Sequence, residues 1–530
     1  MKVLEEAYLA RNKKINKIEL LKQEQKALDF WNDFENICKG SYENLKDVHE
    51  KHLLKCFGIY DKGDANSFTI RIRIPFGQFT VHQAKKIAQT SKKYGKSCID
   101  LTTRGQIEFR HLKLHELPIV LKELESVGIT TFQTAGDNFR GLITSPLDGY
   151  SKTSLIDCET YFNDIQDVFL KNEEYIGTLP RKFNTGILGD TVNDCNIYGH
   201  DCSFVLASKD NELGFNLYLG GKVGVQARPL NLFIKTSQVK TIFKTIIDLF
   251  KKYGFRDNRN KNRMTYFLDE IGIVEFEKAI IETSGIALKT AGELLVKDEY
   301  KIDNTSTIKL KDNKTAVYFS IPAGIFSAED LEILSTLMEK TNSIIRLTHE
   351  QSFFIITDDE NVQLIKDSII YKKFDSFHNI YFNNQIACAG VNECSFGVIA
   401  NKADAIEMAL YLNTHVPISN AKIRMYWSAC PKGCGVHGVA DIGFEGAKVK
   451  DENGNFCDGV KIFIGGKATT SVLEARQLTK AIAIPKAQEV VKELLNIYKT
   501  HRDENESFES FDSRFLSTLS IEQIHESVGL

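Results

Sequence analysis

The chain contains itself twice. Residues 68–111 read FTIRIRIPFGQFTVHQAKKIAQTSKKYGKSCIDLTTRGQIEFRH, and residues 317–356 read VYFSIPAGIFSAEDLEILSTLMEKTNSIIRLTHEQSFFII. Each runs through an alternating strand, a Pro and Gly turn, a helix, a second strand, a Leu-Thr corner and a third strand. Both helices begin with the same device: Thr80 with Gln83, and Ser327 with Asp330, stand at the spacing of an N-cap and its reciprocal partner. Ile87 and Tyr94 in the first, and Leu331, Leu334 and Met338 in the second, fall on one helical face. The repetition continues downstream, where GFNLYLGGKVG at 214–224 returns as GVKIFIGGKAT at 459–469. An amphipathic helix follows each: Val239, Ile242, Phe243, Ile246 and Phe250 in one, and Val490, Leu494 and Tyr498 after Pro485 in the other. The spacing predicts two related halves, about 67–300 and 310–503, with a leader before them and a polar tail after.

The halves differ in chemistry. Only the second carries paired cysteines: Cys388 and Cys394 in CAGVNEC, then Cys430 and Cys434 in CPKGC, with 35 residues between the pairs. Four thiolates converging on one point can hold an iron–sulfur cluster or a zinc ion, and buried unrelated thiols are the third reading. The gap in the first pair is wider than the habit of zinc sites. Gly390, Gly433 and Gly435 would let backbone approach a bulky cluster, and Pro431 would fix the second loop. The first half instead offers GDNFRG and LPRKFN, rich in cations and amides. Arg71 and Arg73 alternate in a strand, and Lys182 and Asn184 alternate after Pro180, so each pair shares a face. Singly these are surface charges; together they could cradle a polycarboxylate or a small anion.

With 67 basic and 70 acidic residues the formal net charge is −3, which argues against a nucleic-acid partner. No apolar run is long enough to span a membrane, and the N-terminus does not resemble an export signal. Eleven cysteines in a chain without such a signal fit a reducing cytoplasm. No Gly-x-Gly-x-x-Gly opens a strand–helix unit, so electrons for any redox centre must come from another protein.

The two cysteine motifs, with CPKGC extended to CPKGCGVHGVADIGFEG, resemble the cluster-binding region of the sirohaem-containing nitrite and sulfite reductases. NKIELLKQEQKALD, HLLKCFGIY, RIRIPFG, LTTRGQIEFR, GDNFRG, LPRKFN, NRMTYFLDEIG and IRLTHEQSF fall in that family's order. The likeness covers about residues 16–500 and is closest to the ferredoxin-dependent nitrite reductase branch. It implies an α+β fold with a central ferredoxin-like domain, built from both halves, and two α/β domains that bind sirohaem and cluster. Expected divisions are 1–66, an N-terminal leader; 67–140 and 306–380, the ferredoxin-like repeats; 141–305, a sirohaem-binding domain; 381–505, a sirohaem and [4Fe–4S] domain; and 506–530, a C-terminal tail.

The resemblance also implies residue roles. Cys388, Cys394, Cys430 and Cys434 would bind the [4Fe–4S] cluster, with Cys434 also ligating the sirohaem iron. Arg71, Arg140 and Lys182 would surround the substrate anion, stabilise charge on its oxygens and relay protons. Asn184 stands where sulfite reductases typically carry lysine, which favours nitrite. Arg104, Gln106, Arg181 and Gln351 would meet the sirohaem carboxylates. Lys432 replaces an asparagine frequent in the family and would reach a carboxylate or shift the cluster potential. The chain departs from the family at Gly105, where many members have Gln, and at Val436 and Gly438, where the nitrite branch favours polar residues.

The implied activity is the assimilatory reduction of nitrite to ammonium by a monomeric cytoplasmic enzyme, using six electrons and eight protons with reduced ferredoxin as donor. Sulfite reduction with the same cofactors is one alternative, and a zinc-stabilised binding protein without catalysis is another. KKYGFRDNRNKNR at 251–263 is a candidate basic patch for the acidic donor, weighed against the favoured reading of a solvated loop with some sirohaem or core contacts.

Overall fold

The computed structural model describes residues 1–45, 48–297, 306–375, 379–450, 454–469 and 471–530. The expected boundary between 305 and 306 abuts residues 298–305, which lie outside the described residues. Among the described residues the chain forms four sheets, two per half.

The repeats are joined by exchange. After its Pro-Gly turn each repeat sends a short strand into the other's sheet. Ile325–Ser327 pairs with Cys98–Leu101, Phe326 opposite Ile99. Gln78–Phe79 pairs with Ile344–Leu347, Phe79 opposite Ile345. The turns that launch these strands share one strained conformation, with Phe76 at φ 59° and Ala323 at φ 51°. The helices Val81–Tyr94 and Ala328–Thr341 lie against each other, bridged at their surface by Lys85–Glu339 at 2.8 Å and Lys92–Glu332 at 2.9 Å. Ile87, Phe109, Leu334, Met338 and Phe353 therefore share one core. The duplicated fold with joined ferredoxin-like halves is thus present.

The helix starts agree in part with the expected pairing. Thr80 and Gln83 form a reciprocal capping box. Ser327 caps Asp330 N at 3.0 Å, but the Asp330 carboxylate turns to Lys373 at 2.8 Å instead of back to the cap backbone.

In the first half a sheet runs in the order Arg228–Lys235, Glu212–Leu219, Cys202–Lys209, Phe183–Leu188, Phe139–Ile143, its last three strands parallel. In the second half Gln385–Ala387, Met425–Ser428 and Ile442–Lys450 are likewise parallel, followed by antiparallel Phe456–Ile464. The loops leaving the parallel strands open at one end of each sheet, where α/β folds place their sites.

Two expectations need correction. The leader is structural: Leu4 is buried in the core of the first-half sheet, while Phe30, Phe34, Leu53 and Phe57 enter the core shared by the repeats. The strand Ile59–Tyr60 extends the first repeat's sheet. The polar tail is also structural: its helices Phe508–Arg514 and Ile521–Val528 bury Phe508, Phe511, Ile524 and Val528 in the second-half core, and Leu516 between them joins the same core. These apolar residues are spaced among charges, so composition hides a face that helical geometry gathers. No helix among the described residues is long and apolar enough to cross a membrane.

Candidate functional site

The cysteine loops are held by backbone before any side chain acts. Cys388 follows the strand Gln385–Ala387 and donates its N–H to Trp427 O at 3.1 Å. Its sulfur accepts from Ala429 N at 3.2 Å and from Asn401 Nδ2 at 3.4 Å. Two glycines are obligatory for close approach: a Cβ at Gly435 would stand 1.8 Å from Trp427 O, and one at Gly390 would stand 2.3 Å from Ala400 O. Cys434 is exposed, while Cys388, Cys394 and Cys430 are partly buried. Burial pushes the Cys388 thiol up to about 11; the Ala429 N–H opposes this, and the charges of Cys434 and Cys394 add to it. Cys394 and Cys434 are thus both within electrostatic range of Cys388. Among the described residues no three Cys, His, Asp or Glu side chains converge on a point where one ion would sit. A cluster spreads its thiolates over several irons and does not require such a point.

The first-half cations lie within electrostatic range of Cys434. Its charge acts on Tyr60, Arg71, Arg140 and Lys182. Arg71 gives its Nε and Nη2 to Glu108 Oε1 at 2.9 and 2.7 Å, gives Nη1 to Thr134 O at 3.2 Å, and lies 5.1 Å over the Tyr60 ring. Arg140 is anchored through Nε to Gly136 O at 2.8 Å. Burial pulls Lys182 well below the ordinary lysine value, and the neighbouring Arg140, Arg263 and Arg104 charges pull in the same direction. Burial first, and then Arg71, Arg263 and Arg140, bring Arg104 down to about 10. Asn184 is buried and sits beside Asp201, which accepts its backbone N–H at 3.0 Å and its Nδ2 at 3.4 Å.

These cations are short of negative charge. The buried Arg104 Nε has no hydrogen-bond partner, and the side chain lies across Gly141, where a Cβ would meet Arg104 Cδ at 2.7 Å. Arg104, Arg140 and Lys182 repel one another in a low-dielectric interior, a cost that a polyanionic ligand removes. The donor set therefore fits a carboxylate-rich macrocycle such as sirohaem.

The remaining expected residues sit around this centre. Gln106 Nε2 donates to Arg140 O at 3.2 Å. Arg181 donates Nε to Arg259 O at 3.0 Å and lies 3.5 Å from Asp137. Gln351 gives Nε2 to Leu101 O and accepts from Ala387 N, both at 2.8 Å, so its amide ties the first repeat to the residue before Cys388. Lys432 is exposed and lies over the Phe396 ring.

Sequence reasoning missed Tyr60 and Arg263. Arg263 Nη2 pairs with Asp201 at 2.7 Å, beside Asn184. It belongs to the segment 251–263, offered above as a docking patch, and the structure turns that segment's arginines inward. Arg256 pairs with Glu19, and Arg259 makes two hydrogen bonds to Asp137 at 2.6 and 2.7 Å. These arginines are spent on carboxylates of the fold, while Lys252 and Lys261 of the same segment stay exposed.

A family model for the nitrite and sulphite reductase 4Fe-4S domain matches residues 135–288 and 383–528, and one for the nitrite/sulfite reductase ferredoxin-like half domain matches residues 60–127. The ferredoxin–nitrite reductase of Synechococcus elongatus is 30% identical over 92% of this chain and 97% of its own. The chloroplastic ferredoxin–nitrite reductase of Spinacia oleracea is 30% identical over 86% of this chain and 79% of its own. A ferredoxin sulfite reductase of Mycolicibacterium paratuberculosis is 24% identical over 86% of this chain and 83% of its own. The solved structure of the Mycobacterium tuberculosis NirA protein superposes with a TM-score of 0.86 at 21% identity, covering 97% of this chain and 98% of that one, which shows a shared fold. The exchanged repeats, the four cysteines and the two family matches agree: the chain belongs to the nitrite and sulphite reductase family.

Proposed function

We propose that this protein is a ferredoxin-dependent nitrite reductase that converts nitrite to ammonium. The observation that carries the reading is a set of under-neutralised cations, Arg104, Arg140 and Lys182, gathered beside the Glu108-paired Arg71, with Arg71, Arg140 and Lys182 within electrostatic range of Cys434. Cys388, Cys394, Cys430 and Cys434 would hold a [4Fe–4S] cluster and Cys434 would also hold sirohaem, the two groups together supplying the electrons. The chain's own residues do the rest. Arg104, Gln106, Arg181 and Gln351 would meet the cofactor carboxylates, with the exposed Lys432 as a further contact. Arg71, Arg140 and Lys182 draw in the anion and hold its oxygens as negative charge grows. Lys182, with its proton loosened by burial, is suited to give that proton to a departing oxygen.

Asn184 supports nitrite over sulfite. Its amide N–H goes to Asp201, so this position adds no positive charge to the pocket. A monoanion needs fewer cations than a more highly charged one. The nitrite reductases among the relatives also share more identity than the sulfite reductase does. All eleven cysteines are unpaired, which suits a reduced cytoplasm and thiolate ligands. A monomer acting on an acidic carrier protein completes the reading. The test is steady-state turnover with reduced viologen on nitrite and on sulfite: a higher kcat/KM for nitrite is expected, and a higher value for sulfite overturns the assignment.

A further inference from the structure

A continuous row of buried charge joins the anion pocket to the helix that follows the first cysteine loop. Arg71 and Glu108 are direct cross-strand partners, and Glu108 and Asp100 are partners on the next strand. Two carboxylates directly opposite each other are destabilising unless cations intervene. Arg110 intervenes: its Nη2 reaches Glu108 Oε2 at 2.8 Å, and its Nε pairs with Asp100 Oδ2. Asp100 Oδ1 then accepts from Lys402 Nζ at 2.6 Å. Lys402 opens the helix Lys402–His415 of the second half and also donates to Ala323 O, in the strained turn of the second repeat, at 2.6 Å. Its neighbour Asn401 contacts Cys388.

The row has a direction. Arg71 owns five N–H donors. Glu108 Oε1 occupies the Nε–Nη2 edge and Thr134 O takes one hydrogen of Nη1, which leaves one hydrogen on each terminal nitrogen. They are what the guanidinium's fork has left to offer the oxygens of a small anion. Which way the fork faces is set by Glu108. Glu108 cannot swing, because its second oxygen is held by Arg110, and Arg110 is held by Asp100 with Lys402. Burial favours neutral carboxylates, yet the cations hold Glu108 and Asp100 below their ordinary values, so the row stays charged.

Resting on the reading of Arg71 as a substrate-binding residue, the geometry points to Glu108 and Lys402 as positioning residues that aim the Arg71 fork at the substrate anion, Lys402 acting through Asp100 and Arg110. The experiment uses holoenzyme with cofactor content checked by its visible spectrum. It compares the parent with Glu108→Gln, Lys402→Met and Lys402→Arg. Two quantities are read: the nitrite dissociation constant by spectral titration, and the split between KM and kcat. Glu108→Gln should raise both the dissociation constant and KM about tenfold or more, with a smaller change in kcat. Lys402→Met should move them the same way by about threefold, and Lys402→Arg should restore them. Parental nitrite affinity in both Glu108→Gln and Lys402→Met at full cofactor content overturns the proposal. So does a Lys402→Met enzyme that melts earlier but binds nitrite as the parent does. If Glu108→Gln fails to fold, Lys402→Met, which lies away from the pocket, decides alone. A parent that prefers sulfite overturns only the substrate assignment, and the same affinities are then read with sulfite.

Discussion

Asn196 and Val436 hold the same left-handed backbone, φ 51° in each, one in the first half and one in the second. A β-branched residue rarely tolerates this conformation, so the loop geometry, not the local residue, dictates it. Matching ladders put the two loops in register: Thr185 opposite Cys202 corresponds to Met425 opposite Ile442. In that register Asp194 stands where Cys434 stands, and Asp190 where Cys430 stands. Leu142 opposite Thr185 and Gln385 opposite Met425 extend it, so Ser145 takes the place of Cys388 and Ser151 that of Cys394. Every sulfur of one half is an oxygen in the other. The cation side is exchanged as well: Tyr318 and Glu350 of the second repeat replace Arg71 and Arg104 of the first. One fold thus carries two potential centres, and residue chemistry equips only one.

Cys434→Ser should therefore abolish the equipped centre. The expected outcome is loss of iron and of visible colour in the purified protein. Cys457→Ser, altering a thiol in the strand Phe456–Ile464 outside the cysteine loops, should keep both. Iron analysis and an absorption spectrum check this, and full iron content in Cys434→Ser would contradict the ligand assignment.

Asn184→Lys should shift preference toward sulfite, by about tenfold in the ratio of kcat/KM, or about 1.4 kcal/mol. The introduced ammonium would enter beside Asp201, which Arg263 already occupies. At the corresponding place in the second half, Arg424 pairs with Asp441. An unchanged ratio would mean that Asp201 captures the new charge and that this position does not set specificity.

Asp137 gathers Lys22 from the N-terminal region at 3.0 Å and Arg259 at 2.6 Å. Burial alone would raise its carboxyl; Lys22 and Arg259 outweigh burial and hold it well below the usual range. A folded value below the unfolded one of about 4 contributes stability in full above pH 4, lost as pH falls through the folded value. Asp137→Asn should cost roughly 3–5 kcal/mol near neutrality, because it strands buried cations. Denaturant titrations from pH 7 downward should show the gap between parent and variant constant to about pH 5 and closing below pH 4.

Deleting residues 506–530 should unfold the second half or lower its melting temperature steeply. Phe508 and Phe511 are fully buried, each worth roughly 1.5–3 kcal/mol. Arg424 also loses its ion pair with Glu509 at 2.7 Å. A truncated chain with parental melting behaviour would show that these helices merely rest on the surface.

The division between what sequence shows and hides follows contact range. The Thr80 cap and the Gly-Gly-Lys strands are local patterns, each legible within a dozen residues, and the repeat shows because such local patterns recur in the same order. The cysteine loops are legible because thiol spacing is itself the chemistry. What is hidden depends on distant partners. Arg259 and Arg263 read as a solvated basic run until Asp137 and Asp201, over sixty residues away in sequence, are brought to them. The partners of the Gln351 amide, Leu101 and Ala387, are hidden too, since only the exchange of strands between repeats brings them together. Lys402 offers no motif at all, and its meaning lies in Asp100 of the other half.

Asn401 carries the last expectation. It holds φ 59° and ψ −65°, an unusual backbone fixed by Asp404, whose carboxylate accepts Asn401 N at 2.6 Å. From there its Nδ2 reaches Cys388 O at 2.7 Å, Trp427 O at 3.2 Å and Cys388 Sγ at 3.4 Å. A donor aimed at a ligand sulfur favours the more negative, reduced form of a cluster, so removing it should lower the potential. A hydrogen bond worth roughly 0.5–1.5 kcal/mol corresponds to about 20–60 mV for one electron. Asn401→Ala should therefore shift the cluster potential negative by that amount in a redox titration followed by paramagnetic resonance. Asn401→Asp, which places a carboxylate near the thiolates, should shift it further. Backbone strain would lower the melting temperature of either variant without moving the potential, so an unchanged potential in both would remove Asn401 from the tuning of the centre.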